Sequence, residues 1–183
     1  MNRKEEIDAR IETLQEEFEE LKKQRERIEK PITERIKTFT DAVDELGSEH
    51  PLVRQYMAAA NGNESFTRNT IAYIKLQIVA AALNEGWFPY LQRKEKRWYP
   101  YYKIYAGDEI DDISPDATYL FGASCGIAFV SSDLAWSFAA STLSERLAVK
   151  SEEISDYFGN QFIDIWAEYL LDGCEIEKHD TDV

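Results

Sequence analysis

The first 28 residues place an apolar side chain at alternating intervals of four and three residues, with charged residues at most positions between. This is the a/d pattern of a coiled coil, sustained over about three heptads. A helix with so narrow an apolar stripe cannot bury it alone. We expect it to pair with a copy of itself as a homo-oligomer; the alternatives are a helix of the same chain that folds back at Pro31, or another protein. The predicted oligomerisation residues are Ile7, Ile11, Leu14, Phe18, Leu21 and Ile28, and Arg25 is the polar member of the repeat.

Pro31 interrupts this helix, because proline lacks a backbone N–H and either kinks a helix or occupies its first turn. The same spacing resumes after Pro31 and continues to Leu46, where Gly47 provides a stop. Residues 1–46 are therefore predicted to form a coiled-coil stalk. Residues 47–66 are predicted to form a short helix and then a hinge rich in Asn and Gly.

Residues 67–171 are predicted to form an α+β domain. Apolar residues at helical spacing begin after Thr67, and Asn84-Glu85-Gly86 ends that helix. Short β-prone runs follow, and a last helix begins after Ser151. The order α-β-β-β-α predicts a small antiparallel sheet covered by two helices, and residues 172–183 form an acidic tail. The β-prone runs are 98–105, then 118–121 with 127–130 as a hairpin or a bulged strand, and 146–150.

Charge is distributed unevenly along the 183 residues. The formal net charge is −14, which repels phosphate backbones and favours basic partners. Residues 47–105 carry eight Lys/Arg against four Asp/Glu, whereas residues 106–183 carry three against seventeen. We therefore favour a basic protein or a nucleoprotein complex as the partner. The acidic face predicted to bind it consists of Asp108, Glu109, Asp111, Asp112 and Asp116.

The same carboxylates are also the ligand type that divalent cations prefer, but their spacing lacks the glycine and terminal glutamate of an EF-hand loop. We predict a solvated acidic loop, with no metal site and no cofactor. His50, immediately before Pro51, is predicted to begin a helix rather than to act as a general base or a metal ligand.

The segment 87–105 interleaves basic and aromatic side chains. Basic groups hold phosphates while aromatic rings stack on bases, so this composition fits single-stranded nucleic acid. The alternative is a loop with a solvated basic tip whose aromatic residues fill the core. The candidate nucleic-acid contacts are Arg93, Lys94, Lys96, Arg97, Trp98 and Tyr99.

Gly122-Ala123-Ser124-Cys125-Gly126 matches the G-x-S-x-G nucleophile elbow of hydrolases. An elbow leads from a strand into a helix, yet residues 127–130 are β-prone, and His179 lies in a charged tail with nothing to hold it against Ser124. The elbow also belongs to a large parallel sheet, for which the chain lacks repeated βα units. We predict a bend between strands, no catalytic residue, and a protein that is not an enzyme.

Four segments occur together in an order that resembles a known group. They are ALNEGW (82–87), WYPYY (98–102), RLAVKS (146–151) and GNQFID (159–164). The set resembles a group of small uncharacterised proteins from phages and mobile elements of Bacteroidetes, in which LNEGW, YYPW-like, RLCFKS-like and GKQFIDLY-like segments recur. The resemblance covers residues 70–171; Ala148-Val149 stands where the group has Cys-Phe, and Asn160 where it has Lys.

This resemblance implies a phage or mobile-element accessory protein. With the charge pattern, we expect a non-enzymatic protein that binds a basic protein or nucleoprotein complex, for example as an anti-defence (anti-CRISPR-type) inhibitor. One alternative is a single-stranded nucleic-acid-binding protein for phage replication or recombination, and another is a structural component of the virion.

The compartment is predicted from the N-terminus and the cysteines. Neither a signal peptide nor a run near the ~18 apolar residues of a membrane-spanning helix is recognisable. Two cysteines, Cys125 and Cys174, are too few for a disulfide framework or a zinc site and fit a reducing compartment. We therefore expect a cytoplasmic protein, in the host cytoplasm if a phage encodes it, with no membrane partner.

Overall fold

A computed structural model describes residues 3–61, 66–89, 95–106, 117–122, 125–135 and 145–171. The chain divides into two compact units, Met1–Arg35 and Ile36–Val183. No helix in the described ranges is both long enough and apolar enough to cross a membrane.

The first unit consists of α1 (Arg3–Ile28), a helix of 26 residues, and the single turn α2 (Ile32–Arg35). Pro31 separates them and begins the second helix, since its carbonyl oxygen accepts the backbone N–H groups of Glu34 and Arg35 at 2.9 and 3.2 Å. The predicted restart at Pro31 is confirmed, because proline has no N–H to lose in a first turn.

The second unit begins with three helices, α3 (Phe39–Leu46), α4 (Pro51–Ala60) and α5 (Arg68–Leu83). Thr38 starts α3 with a capping box, in which Thr38 Oγ1 accepts from the Asp41 N–H and the Asp41 carboxylate accepts from the Thr38 N–H. Both α3 and α4 pack on α5. The second unit begins at Ile36 and includes α3, whose Ala42 is fully buried.

The sheet has three antiparallel strands, β1 (Arg97–Ala106), β2 (Tyr119–Phe121) and β3 (Cys125–Ala135), in the order β1-β3-β2. The α+β fold is therefore confirmed. A bulge between Tyr101 and Tyr102 shifts the register, so that Tyr102 lies opposite Phe129. These two rings meet edge to face with centroids 5.9 Å apart.

The predicted strand at 146–150 is wrong. Residues Glu145–Leu147 form a 3₁₀ turn, and only Val149 makes a strand-like contact, an isolated bridge to Trp98 with backbone hydrogen bonds of 3.0 and 3.1 Å. On the opposite edge of this segment, which faces away from β1, Asn84 bonds the carbonyl of Ala148 and the N–H of Lys150. The alternation of apolar and polar residues predicted a strand, but tertiary packing determines the local structure of this segment.

The predicted last helix is divided into α6 (Glu152–Gln161) and α7 (Ile163–Leu170). Ser151 caps α6 as predicted, with its hydroxyl accepting from the Ile154 N–H at 3.3 Å. The break falls at Phe162, whose side chain is buried and whose φ and ψ of −114° and 29° are not helical. Phe162 packs its ring near those of Tyr157 and Phe158, so core packing accounts for the break.

Candidate interaction surfaces

The apolar stripe of α1 is exposed along its whole length. Its six apolar members, hereafter the α1 seam, have exposed fractions from 47 % to 72 %. They are Ile7, Ile11, Leu14, Phe18, Leu21 and Ile28. Pairing of the seam with a second copy, with a helix that folds back at Pro31 or with another protein stays a prediction. A stripe of this kind is a surface for a second helix.

Ion pairs on α1 lie within the helix itself. Lys22 Nζ lies 3.8 Å from a Glu19 carboxylate oxygen, and Arg25 Nε lies 3.5 Å from Glu29 Oε1. All four side chains are at least half exposed, so each pair contributes little to stability. The Arg25–Glu29 pair nevertheless matters for the seam, since it places a carboxylate beside the one polar member of the repeat.

The candidate nucleic-acid contacts do not form one exposed surface. Arg97 and Tyr99 are 1 % and 5 % exposed, so they belong to the core. The alternative interpretation placed aromatic residues such as Tyr99 there, but it placed the basic residues in solvent. Lys96 is exposed and Trp98 is half-buried. Arg93 and Lys94 lie outside the described residues. On β1 the exposed side chains are instead Tyr101, Lys103 and Ile104.

The predicted acidic face, Asp108 to Asp116, lies outside the described residues, as do Ser124 and His179. The described ends of the G-x-S-x-G motif, Gly122 and Cys125, are joined by a 2.8 Å hydrogen bond from the Gly122 N–H to the Cys125 carbonyl. Cys125 then opens β3, which remains a strand to Ala135. A nucleophile elbow requires a helix at that point.

Two expectations about individual side chains have different outcomes. His50 caps α4 as predicted, with Nδ1 accepting from the Leu52 N–H at 3.3 Å. Cys125 is disulfide-bonded, so the cysteine count does not support a reducing compartment. Among the described residues there is no group of three or more His, Cys, Asp or Glu side chains that could hold a metal ion.

A cavity of about 520 Å³ lies in the second unit and was not predicted. Its walls come from the end of α3, the start of α4, the last two turns of α5 and the segment after α5. Gln77 of α5 and Asn84, the C-cap of that helix, line it, and both are at least 95 % buried. The sequence signal for it was Gln77, a polar residue inside the apolar run of a helix that is buried on most sides.

Comparison with protein-family models, with curated proteins and with solved structures gives no match to this chain. Its function is therefore argued from the α1 seam, the charge pattern and the exposed strand residues.

Proposed function

We propose that this chain is a non-enzymatic binding protein that pairs with a second copy of itself through the α1 seam. The observation that carries this proposal is the exposure of all six seam residues on one continuous helix. Partial burial of such side chains against a second copy removes apolar surface from water along about six helical turns. A binding role also fits the resemblance to phage and mobile-element accessory proteins.

The flanking charges favour a parallel pair. With Ile11 and Phe18 at a positions and Leu14 and Leu21 at d positions, each g residue faces the e residue of the next heptad on the other copy. This places Glu17 opposite Lys22, and Arg3 opposite Asp8. The two other facing pairs each contain a glutamine, Gln15 or Gln24. Opposite charges at these positions set partner choice and orientation.

Arg25 opposes a parallel pair, because two copies of the guanidinium then approach each other at an a position. The Glu29 carboxylate 3.5 Å away on the same helix offsets part of that repulsion. Polar residues at a positions lower the stability of a coiled coil while fixing its register. The pair is therefore expected to be in register and of moderate affinity.

The proposed partner of the paired protein is a basic protein or a nucleoprotein complex. The net charge of −14, concentrated in residues 106–183, steers association with a positive surface. Two linked copies of the acidic region raise the effective affinity without new contacts. Inhibition of a nucleic-acid-binding defence complex, the anti-CRISPR-type role, is the specific function proposed. A structural role in a virion would use the same seam.

Sedimentation equilibrium of the purified full chain tests the pairing. We expect twice the monomer mass at micromolar concentration, and the monomer mass after Leu14→Asp or Leu21→Asp, since each places a carboxylate in the buried seam. Ala9→Asp is the matched control, because Ala9 is exposed at an f position of the same helix and should leave the dimer intact. A monomer at all concentrations would overturn the proposal.

The acidic partner surface is tested separately by titrating protamine, a basic protein, into the full chain. We expect salt-sensitive binding that weakens when Asp108, Glu109, Asp111 and Asp112 are changed together to Asn or Gln. Binding that is unaffected by these changes would contradict the proposed acidic surface while leaving the pairing untouched.

Single-stranded nucleic-acid binding is the second candidate function, and the exposed residues of β1 favour it. Tyr101 is 56 % exposed beside Lys103, whose ammonium lies 4.4 Å from the centre of the Tyr105 ring. Titration with fluorescent single-stranded DNA and RNA tests this function at low and physiological salt. Affinity that falls with salt and is lost in Tyr101→Ala/Lys103→Ala would support it; absence of binding at low salt would exclude it.

A further inference from the structure

The cavity in the second unit has the size of a small-molecule site. Its volume is about 520 Å³, and pockets for organic ligands span about 300–1,000 Å³. Its apolar walls include Leu46, Leu52 and Trp87. Trp87 packs against the buried cluster of Tyr99 and Ala148, so the indole is held in place as one wall.

Gln77 is a buried polar residue on the cavity wall. It is 3 % exposed and lines the cavity, yet within the described ranges its amide makes no hydrogen bond. Asn84, about two turns further on at the C-cap of α5, differs because both ends of its amide bind backbone groups. Buried amides without partners are uncommon in folded proteins, since losing the bonds to water is costly. The Gln77 amide is thus available to a bound molecule as donor and acceptor.

Two further groups give the cavity a preference for anions. His50 accepts the Leu52 N–H on Nδ1, so its neutral ring carries the proton on Nε2 and can donate from there. Arg146, exposed at the cavity, forms no ion pair with any acidic side chain that the structure describes. The described lining contains neither Asp nor Glu. A guanidinium without a carboxylate partner binds carboxylate or phosphate oxygens well.

We propose that this cavity binds a small amphipathic organic anion. The apolar body of the ligand lies against Leu46, Leu52 and Trp87, its acidic group binds Arg146 and His50, and a polar atom satisfies Gln77. This inference is independent of the α1 seam, because every lining residue belongs to the second unit.

The probe for the test is 1-anilinonaphthalene-8-sulfonate, an aromatic anion that fluoresces on binding, with uncharged N-phenyl-1-naphthylamine as its comparison. We expect one site per chain. Arg146→Gln should lower the affinity for the anionic probe by about tenfold and leave the affinity for the uncharged probe unchanged, as loss of a charge-assisted hydrogen bond predicts. Arg54→Gln is the matched control, since Arg54 is exposed on α4 and is not among the lining residues.

Filling the cavity tests its location. Ala81→Leu adds three carbon atoms to the cavity wall and should lower the affinity for both probes. Ala58→Leu, at an exposed position of α4, should leave both affinities unchanged. Thermal unfolding of each variant establishes that it is folded. Binding that survives Ala81→Leu in a folded protein overturns the proposal.

Two controls separate this site from other causes of probe binding. Leu14→Asp in the α1 seam should leave the titration unchanged; loss of binding in that variant places the probe on the seam and overturns the proposal. Competition by 1-naphthoate or by 1-naphthyl phosphate distinguishes a carboxylate from a phosphate ligand, and either supports an anion site. Competition by neither, or no probe binding at millimolar concentration, contradicts it.

Discussion

Asn84 and Ala148 are joined across 64 residues of sequence by a 2.8 Å hydrogen bond from Asn84 Nδ2 to the Ala148 carbonyl oxygen. The other end of the same amide, Oδ1, accepts the Lys150 N–H at 3.1 Å. In the segment that precedes α6, one buried side chain thus bonds the backbone groups that a neighbouring strand would otherwise bond. The end of α5 and the start of the last helical pair are held together by this amide.

Replacing that amide should destabilise the second unit. Asn84→Ala leaves a carbonyl and an N–H without partners, so we expect a loss of about 2–3 kcal/mol in the free energy of unfolding, measured with urea. Asn160→Ala is the control, because Asn160 makes a single exposed bond to the Asp156 carbonyl and should cost about 0.5 kcal/mol or less. Equal losses in the two variants would contradict the role assigned to Asn84.

Gly159 should not tolerate a methyl group. In most exposed helices Gly→Ala stabilises by up to about 1 kcal/mol. A Cβ at Gly159 would lie 2.5 Å from Phe129 Cδ2 and 2.9 Å from Pro100 Cβ, so α6 would have to move away from the sheet. We expect Gly159→Ala to cost about 1–3 kcal/mol in urea unfolding. An unchanged or increased stability would show that α6 and the sheet are not in this contact.

Tyr157 should make stability fall at alkaline pH. Its hydroxyl donates to the Ile36 carbonyl at 2.6 Å, and burial, with the nearby Asp41 carboxylate, raises its pKa. Burial also raises the pKa of Tyr102, whose hydroxyl donates to the Gly159 carbonyl. A raised pKa in the folded state means that folding favours the neutral tyrosine. The contribution of each tyrosine to the free energy of unfolding is therefore complete below its unfolded-state pKa of about 10. That contribution is lost as the pH rises through the folded-state pKa.

The alkaline effect is measured as the urea midpoint at several values of pH. Tyr157→Phe should cost about 1 kcal/mol at neutral pH and make the decline above pH ~10 shallower. Tyr101→Phe, at a tyrosine that is 56 % exposed, should leave the profile unchanged. If the urea midpoints of Tyr157→Phe and of the unaltered chain fell equally steeply with pH, the alkaline loss of stability would not come from Tyr157.

The facing charges of α1 predict a charge-swap rescue. Lys22→Glu places like charges opposite Glu17 of the other copy in both symmetry-related pairs, so we expect the dimer dissociation constant to rise by about fivefold. Glu17→Lys/Lys22→Glu restores opposite charges and should recover the affinity in sedimentation equilibrium. Both effects should shrink at high salt. A double variant as weak as the single one would argue against parallel pairing.

Local signals predicted the helices of the second unit well. Thr67 and Ser151 cap helices as expected, and Asn84-Glu85-Gly86 ends α5 with Glu85 and Gly86 at positive φ. These features depend on a few adjacent residues, so the sequence is sufficient for them. The apolar period of α1 was likewise visible in the sequence, because it depends only on the spacing of residues within one helix.

Features that depend on long-range packing were not predictable in this way. The strand expected at 146–150 is instead a 3₁₀ turn and a single bridge, with the long-range partner Asn84 bonded to its other edge. The helix expected after Ser151 breaks at Phe162, whose ring enters the core. Arg97 and Gln77 are polar yet buried, and no local pattern indicates which apolar neighbours would enclose them.

The central claim, a parallel and in-register pair of α1 helices, is tested most directly by oxidative cross-linking of full-chain Ile28→Cys. In a parallel pair the two cysteines meet at the same d position, whereas antiparallel registers that overlap most of the seam separate them by roughly 25 Å or more at 1.5 Å per residue. Glu26→Cys, exposed at a b position of the same turn, is the matched control, and the unaltered chain accounts for the native cysteines. A parallel, in-register pair predicts a covalent dimer in Ile28→Cys well above both controls. Cross-linking of Ile28→Cys at the level of Glu26→Cys would contradict it.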